Sequence, residues 1–157
     1  MLDWFVQYCQ EKQICCMVCG ENDTACLDFH HIDPKQKDGS IAAGIRSRGW
    51  SKQRVLKEMQ RCTVLCANCH RKHHYKPTTR RGRAWIRDYK SERGCSCGEK
   101  HPAALDFHHR DENTKVSAIS EMMMRGLKKV LILAEIEKCD LLCANCHRKK
   151  HAEKLEA

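Results

Sequence analysis

Apolar and polar residues alternate through Leu27-Asp28-Phe29-His30-His31, and the same five residues return as Leu105-Asp106-Phe107-His108-His109. A period of two predicts a strand in each place, read here as one arm of a β-hairpin. A short helix is predicted ahead of each strand, where Trp4 and Tyr8, or Trp85 and Tyr89, stand four apart and share one face that packs into a core. After the strand the period changes to that of a helix. Ser51 is a suitable N-cap for residues 51–61, with Val55, Leu56 and Met59 at helical spacing, and residues 127–138 match it with Val130, Leu131, Leu133, Ala134 and Ile136. A final helix is predicted to begin at Cys66-Ala67-Asn68-Cys69-His70 and again at Cys143-Ala144-Asn145-Cys146-His147. The chain is therefore a tandem repeat: residues 1–75, a turn-prone junction at 76–79 (Lys76-Pro77-Thr78-Thr79), and residues 80–157. The copies also differ between their motifs: residues 41–50 are rich in Gly and Arg, whereas residues 118–124 are apolar and Met-rich.

Copies of about 75 residues are small for an apolar core alone, and at this size a structural metal commonly supplies the missing stability. Only 6% of the residues are aromatic and 31% are charged, a balance that excludes one large core and suits two small basic modules. No apolar run is long enough to span a membrane and no signal peptide opens the chain, so the expectation is a cytoplasmic protein with no membrane partner. The formal net charge is +9, and Arg71 to Lys90 holds eight Lys or Arg against the single acid Asp88. Such an excess points to a polyanion as partner.

Thirteen cysteines are an odd number, and they cluster beside histidines, which favours metal binding over a disulfide framework. Cys16, Cys19, Cys66 and Cys69 make two Cys-x2-Cys knuckles, whose four thiolates close a tetrahedron around structural Zn2+. Copy two offers Cys95, Cys97, Cys143 and Cys146, with its first knuckle contracted to Cys-x-Cys and Gly94 standing where Cys16 is expected. Cys9, Cys15, Cys26, Cys62 and Cys139 read as small buried apolar residues, Cys15 being the one rival to Cys16. With each four-cysteine site full, His30, His31, His70 and His74 form a second constellation, repeated as His108, His109, His147 and His151. His70 and His74 share one face of the last helix, while Cys69 is turned about 100 degrees from its neighbour, so one helix start can serve two metals. A two-Cys, two-His zinc finger is excluded, because about twelve residues separate its ligand pairs and here His70 follows Cys69 directly.

His-His in a strand, Cys-x2-Cys-His opening a helix and a His four residues later resemble the HNH endonucleases, especially the zinc-knuckled phage and mobile-element type. The resemblance covers nearly the whole chain, twice. It implies an α+β fold of two tandem ββα-metal modules, each stapled by a four-cysteine zinc, and hydrolysis of DNA phosphodiesters with one divalent ion per site. By position it implies His31 and His109 as general bases, with His30, His70 and His74, and His108, His147 and His151, holding a catalytic ion such as Mg2+, Mn2+ or Ni2+. Asp28 and Asp106 share a strand face with the metal-side His and read as residues that orient it. The chain departs from the family where the middle Asn is expected: nine residues before His70 and His147 stand Arg61 and Lys138. Asn68 and Asn145, inside the knuckles, read as turn formers.

Two His sets in one chain predict a monomer acting on double-stranded DNA as a pseudo-dimer, with a homodimer as the alternative assembly. Two other readings compete with this one. A non-catalytic double zinc module that binds DNA leaves the repeated His sets unexplained. A ribonuclease of the same fold shares base and metal, but no stacking platform for single-stranded RNA is visible.

Overall fold

The computed structural model describes residues 3–77 and 81–156, so Thr78 and Thr79 of the expected junction lie outside the described residues. The chain divides into two compact units, Met1–His73 and His74–Ala157, and His74, the residue at the boundary directly after the last helix of the first unit, groups with that unit's histidines. The first carries α1 (Asp3–Glu11), β1 (Leu27–His31), α2 (Ile41–Arg46), α3 (Lys52–Met59), β2 (Cys62–Cys66) and α4 (Ala67–His73). The second repeats that order as α5 (Arg81–Arg93), β3 (Leu105–His109), α6 (Ile119–Met124), α7 (Lys129–Ile136), β4 (Cys139–Cys143) and α8 (Ala144–Glu156). Each unit is α+β, with helices around one two-stranded antiparallel sheet.

The sheet differs from the expected hairpin. β1 pairs with β2 across an insertion that contains α2 and α3, so that Leu27 faces Cys66 and His31 faces Cys62. β3 and β4 keep the same register, Leu105 to Cys143 and His109 to Cys139. The strand Cys62-Thr63-Val64-Leu65-Cys66 escapes the periodicity reading because it is five residues long, sits between two helices and has no Gly or Pro to bound it. Its pairing brings the second knuckle beside the first and places the start of α4 against the histidine strand.

Two small apolar clusters hold each unit. One surrounds the cysteines, with Cys16, Leu27, Leu65 and Cys66 in the first unit and Cys95, Leu105 and Cys143 in the second. The other lies under the helices. Ile41, Ile45, Trp50 and Val55 pack there with Trp4, Phe5 and Phe29, and Ile119, Met122, Ile132 and Ile136 pack with Trp85, Tyr89 and Phe107. The aromatic residues of α1 and α5 thus serve the core, as their spacing predicts. Ser51 caps α3, its Oγ accepting from the Arg54 amide at 3.3 Å.

The second cluster is filled differently in the two units. Trp50 donates its amide to the Gly44 carbonyl at 2.9 Å, and Leu127 donates to the Met122 carbonyl at 3.1 Å, so the two pairs are equivalent in backbone position. Gly49 and Gly126, each at positive φ, make the turn that brings the following large residue back. A Cβ on Gly44 falls 2.5 Å from two atoms of the Trp50 ring, whereas in the second unit the larger Met122 is buried in the cluster against which the smaller Leu127 packs. Gly44 with Trp50 and Met122 with Leu127 are exchanged solutions of one packing problem.

Gly44→Ala is therefore expected to destabilise the first unit by about 1–3 kcal/mol, the usual cost of overpacking. Adding Trp50→Leu in the same chain recovers most of the loss, and thermal unfolding of the single and double variants checks both statements. A Gly44→Ala chain as stable as the parent contradicts them.

Candidate metal centres

The four cysteines of each expected knuckle pair converge. The Sγ atoms of Cys16, Cys19, Cys66 and Cys69 all lie within 4.8 Å of one another, and so do those of Cys95, Cys97, Cys143 and Cys146. Cys66 ends β2 and Cys69 sits in the first turn of α4, so strand pairing and helix start together deliver one half of the site. Cys19 Sγ stands 3.6 Å from Cys66 Sγ, and Cys97 Sγ stands 3.6 Å from Cys143 Sγ. A disulfide has its sulfurs at about 2.05 Å. With Zn–S at about 2.3 Å the edge of a tetrahedron is about 3.8 Å, so these spacings fit a zinc site. Both clusters can hold a structural zinc ion.

Their electrostatics fit a cation too. Burial pushes the Cys16 thiol up, but backbone N–H groups of Cys66, Val18 and Cys19 aimed at its sulfur outweigh this and lower it to about 7. Cys95 is likewise lowered to about 7, by the amides of Cys97 and Cys143 acting against burial. Cys69 and Cys146 are pushed up, first by burial and then by the neighbouring cysteines. Four thiolates this close repel one another unless a cation sits among them. The contracted knuckle works because the missing residue falls within the turn: the Cys95 amide donates to the Glu99 carbonyl as the Cys16 amide donates to that of Glu21, both at 2.8 Å. Among the remaining cysteines, Cys9 and Cys26 are buried as expected. Cys62 and Cys139 are half-buried and donate to the Glu58 and Glu135 carbonyls at 3.4 and 3.5 Å. Cys15 departs from the expectation, since it is exposed. Asn68 and Asn145 are buried in the first turns of α4 and α8, not turn formers.

The histidines form the second constellation, split between two faces of the strand. His30, His70 and His74 offer nitrogens within 4.8 Å of one another, as do His108, His147 and His151. His74 directly follows α4, and α8 carries both His147 and His151. His30 Nδ1 lies 3.1 Å from His70 Nε2, His108 Nδ1 lies 3.0 Å from His147 Nε2, and His151 Nε2 lies 3.1 Å from His147 Nε2. At a metal–ligand distance of about 2.1 Å the edge of an octahedron is about 3.0 Å, so the nitrogens are spaced as ligands of one divalent ion. Asp28 Oδ2 accepts from His70 Nδ1 at 2.9 Å, and Asp106 Oδ2 from His147 Nδ1 at 3.3 Å. Each carboxylate thereby turns the Nε2 lone pair of its histidine towards the triad.

His31 and His109 point elsewhere. Both are buried, and Nε2 of each meets a carboxylate on the helix just before the partner strand, α3 or α7: Glu58 Oε1 at 2.6 Å and Glu135 Oε1 at 2.9 Å. Sequence reasoning missed these glutamates, which look like solvated helix residues. The available signal was the repeated spacing of Glu58, Arg61 and Cys62 in Glu135, Lys138 and Cys139. Arg61 and Lys138, standing where Asn was expected, bind Oε2 of the same glutamates at 3.3 and 2.7 Å.

In the second unit a cleft of about 440 Å³ is lined by His109, Asp106 and His147 together, with Lys90 and Lys115 at its walls. Asp106 and His109 stand on opposite faces of β3, so the cleft draws on both faces of the strand. Comparison of the chain with protein-family models, with curated proteins and with solved structures returns no match. Among the described residues no helix is long and apolar enough to cross a membrane.

The arrangement can place a divalent ion at the histidine triad a short way from a buried, carboxylate-held imidazole. Asp106→Asn is expected to weaken Mn2+ or Ni2+ binding at the second triad by about 10–100-fold. Zinc content stays at the parent level, because no cysteine is touched. Calorimetric titration of the zinc-loaded chain checks this, and unchanged affinity contradicts the orienting role of Asp106.

Proposed function

We propose that the chain is a metal-dependent endonuclease of the HNH type, hydrolysing phosphodiester bonds in double-stranded DNA with one site in each unit. The observation that carries this reading is the cleft of the second unit, where His109, Asp106 and His147 line one space with Lys90 and Lys115. The same histidines, aspartate and buried glutamate recur in the first unit with near-equal distances. Both units keep, beside the zinc-type thiol cluster, a histidine group that such a zinc does not require.

In this mechanism His30, His70 and His74, or His108, His147 and His151, hold the divalent ion. When bound, that ion supplies charge stabilisation to the phosphate and to the departing 3′ oxygen. Asp28 and Asp106 keep Nε2 of His70 and His147 available by accepting the hydrogen bond from Nδ1–H. His31 or His109, as a neutral imidazole, takes the proton from the attacking water. Lys115, in the cleft wall, offsets phosphate charge, and the net charge of +9 draws a polyanion to the protein. A site in each unit supplies one cut to each strand of a duplex, which makes the chain a single-polypeptide pseudo-dimer.

Cleavage of supercoiled plasmid by the zinc-loaded protein, with Mg2+, Mn2+ or Ni2+ added, tests the reading. Linear product is expected from the parent, nicked circles from His31→Ala or His109→Ala, and a loss of about 10²–10⁴-fold in rate from the double variant, the usual contribution of a general base. Nicked circles alone from the parent contradict the pseudo-dimer. DNA binding without cleavage under any of the metals contradicts the enzyme and leaves a zinc-stapled binding module.

A further inference from the structure

Glu58 and Glu135 are 2% and 3% exposed, and a buried carboxylate is costly unless its oxygens are satisfied. Both are fully engaged. Oε1 of Glu58 accepts from His31 Nε2 and from the Asp38 amide at 2.8 Å, while Oε2 takes Arg61. Oε1 of Glu135 accepts from His109 Nε2 and from the Val116 amide at 2.7 Å, while Oε2 takes Lys138. Three elements of each unit thus meet at one carboxylate: the histidine strand, the loop that follows it and the helix carrying the glutamate. The cation is Arg in one unit and Lys in the other, and the loop residue is Asp or Val, yet the contact to the histidine is the same.

The carboxyls are held ionised. Burial by itself raises both, but the hydrogen bonds from His31 and the Asp38 amide, with the charge of Arg61, bring Glu58 below its ordinary value. Lys138, the Val116 amide and His109 bring Glu135 down to about 2 against the same burial. An ionised carboxylate only accepts, so the histidine nitrogen facing it must carry the proton. A neutral imidazole has one protonated nitrogen, and the other keeps its lone pair. Glu135 is not part of the cleft wall that His109 lines, so the held nitrogen is on the side of the ring away from the substrate space.

We infer that Glu58 and Glu135 are positioning residues that hold His31 and His109 through Nε2 and thereby leave Nδ1 as the proton-accepting atom. They stand in for the Asn that the HNH pattern expects, with Arg61 and Lys138 neutralising the carboxylate. The inference rests on the endonuclease reading. It assigns no proton transfer to the glutamates themselves.

Two-bond proton–nitrogen correlation spectra of the ¹⁵N-labelled, zinc-loaded chain in Mg2+ read the tautomers directly. Nε2–H with a bare Nδ1 is expected at both His31 and His109. The Glu58→Gln, Glu135→Gln double variant, whose amides can present either a donor or an acceptor, is expected to show mixed tautomers and a kcat for plasmid cleavage lower by about 10–100-fold at unchanged KM. A cleaving parent that shows Nδ1–H or doubly protonated rings overturns the positioning role alone, and so does a double variant that cleaves at the parental rate. A parent that cleaves nothing overturns both the endonuclease reading and this role, whatever the tautomer. The parental spectrum decides the tautomer even where the variant fails to fold.

Discussion

The structure depends on the junction between the second strand and the last helix of each unit. There Cys66 closes the strand, Cys69 opens the helix, and His70 follows at once, so one backbone turn delivers ligands to two different groups. Adjacent helical residues point about 100 degrees apart, which separates the thiol cluster from the histidine triad without a second scaffold. The apolar clusters are small, four buried residues at most in any one, and the strands are five residues long. Such units gain a large part of their stability from metal, which supplies folding free energy when thiolates close around it. Closure of the thiolates around zinc would also set where His70 and His147 stand. Stability and site geometry are thus one constraint.

Comparison of the two copies within the chain separates what the fold requires from what it tolerates. Register, the carboxylate on the helix histidine and the glutamate on the strand histidine are kept. Around them the chemistry drifts. Gly44 and Trp50 become Met122 and Leu127, Arg61 becomes Lys138, and one knuckle loses a residue inside its turn. The outer face of the third helix and the loop beside it drift too. Asp38 and Arg54, an ion pair in the first unit, correspond to Val116 and Leu131 in the second, both exposed. The repeated elements are those that aim polar atoms; the variable ones fill space or meet solvent.

Much of this was legible in the sequence because it repeats. Duplication marked the cysteines and histidines as sets, alternation in Leu-Asp-Phe-His-His gave the first strand, and Ser51 gave the start of α3. The orienting role read for Asp28 followed from two-residue strand spacing and agrees with its 2.9 Å bond to His70. Pairing between β1 and β2 was not legible, since α2 and α3 separate the strands and β2 carries no turn signal. Nor was the burial of Glu58 and Glu135: a glutamate near the end of a helix ordinarily faces water, and only the pairing that brings His31 over α3 turns it into a buried partner. Cys15 misled in the opposite sense, because being beside a knuckle says nothing about which way a single thiol points.

The measurement that bears most directly on the shared junction is anomalous diffraction from crystals of the chain grown with zinc and Mn2+, recorded at the absorption edge of each metal. Four metal peaks are predicted, zinc within each four-cysteine cluster and the second ion within each histidine triad, with Cys69 and His70 ligating different ions. A single ion per unit shared by cysteine and histidine, or cysteines joined as disulfides, would contradict the account.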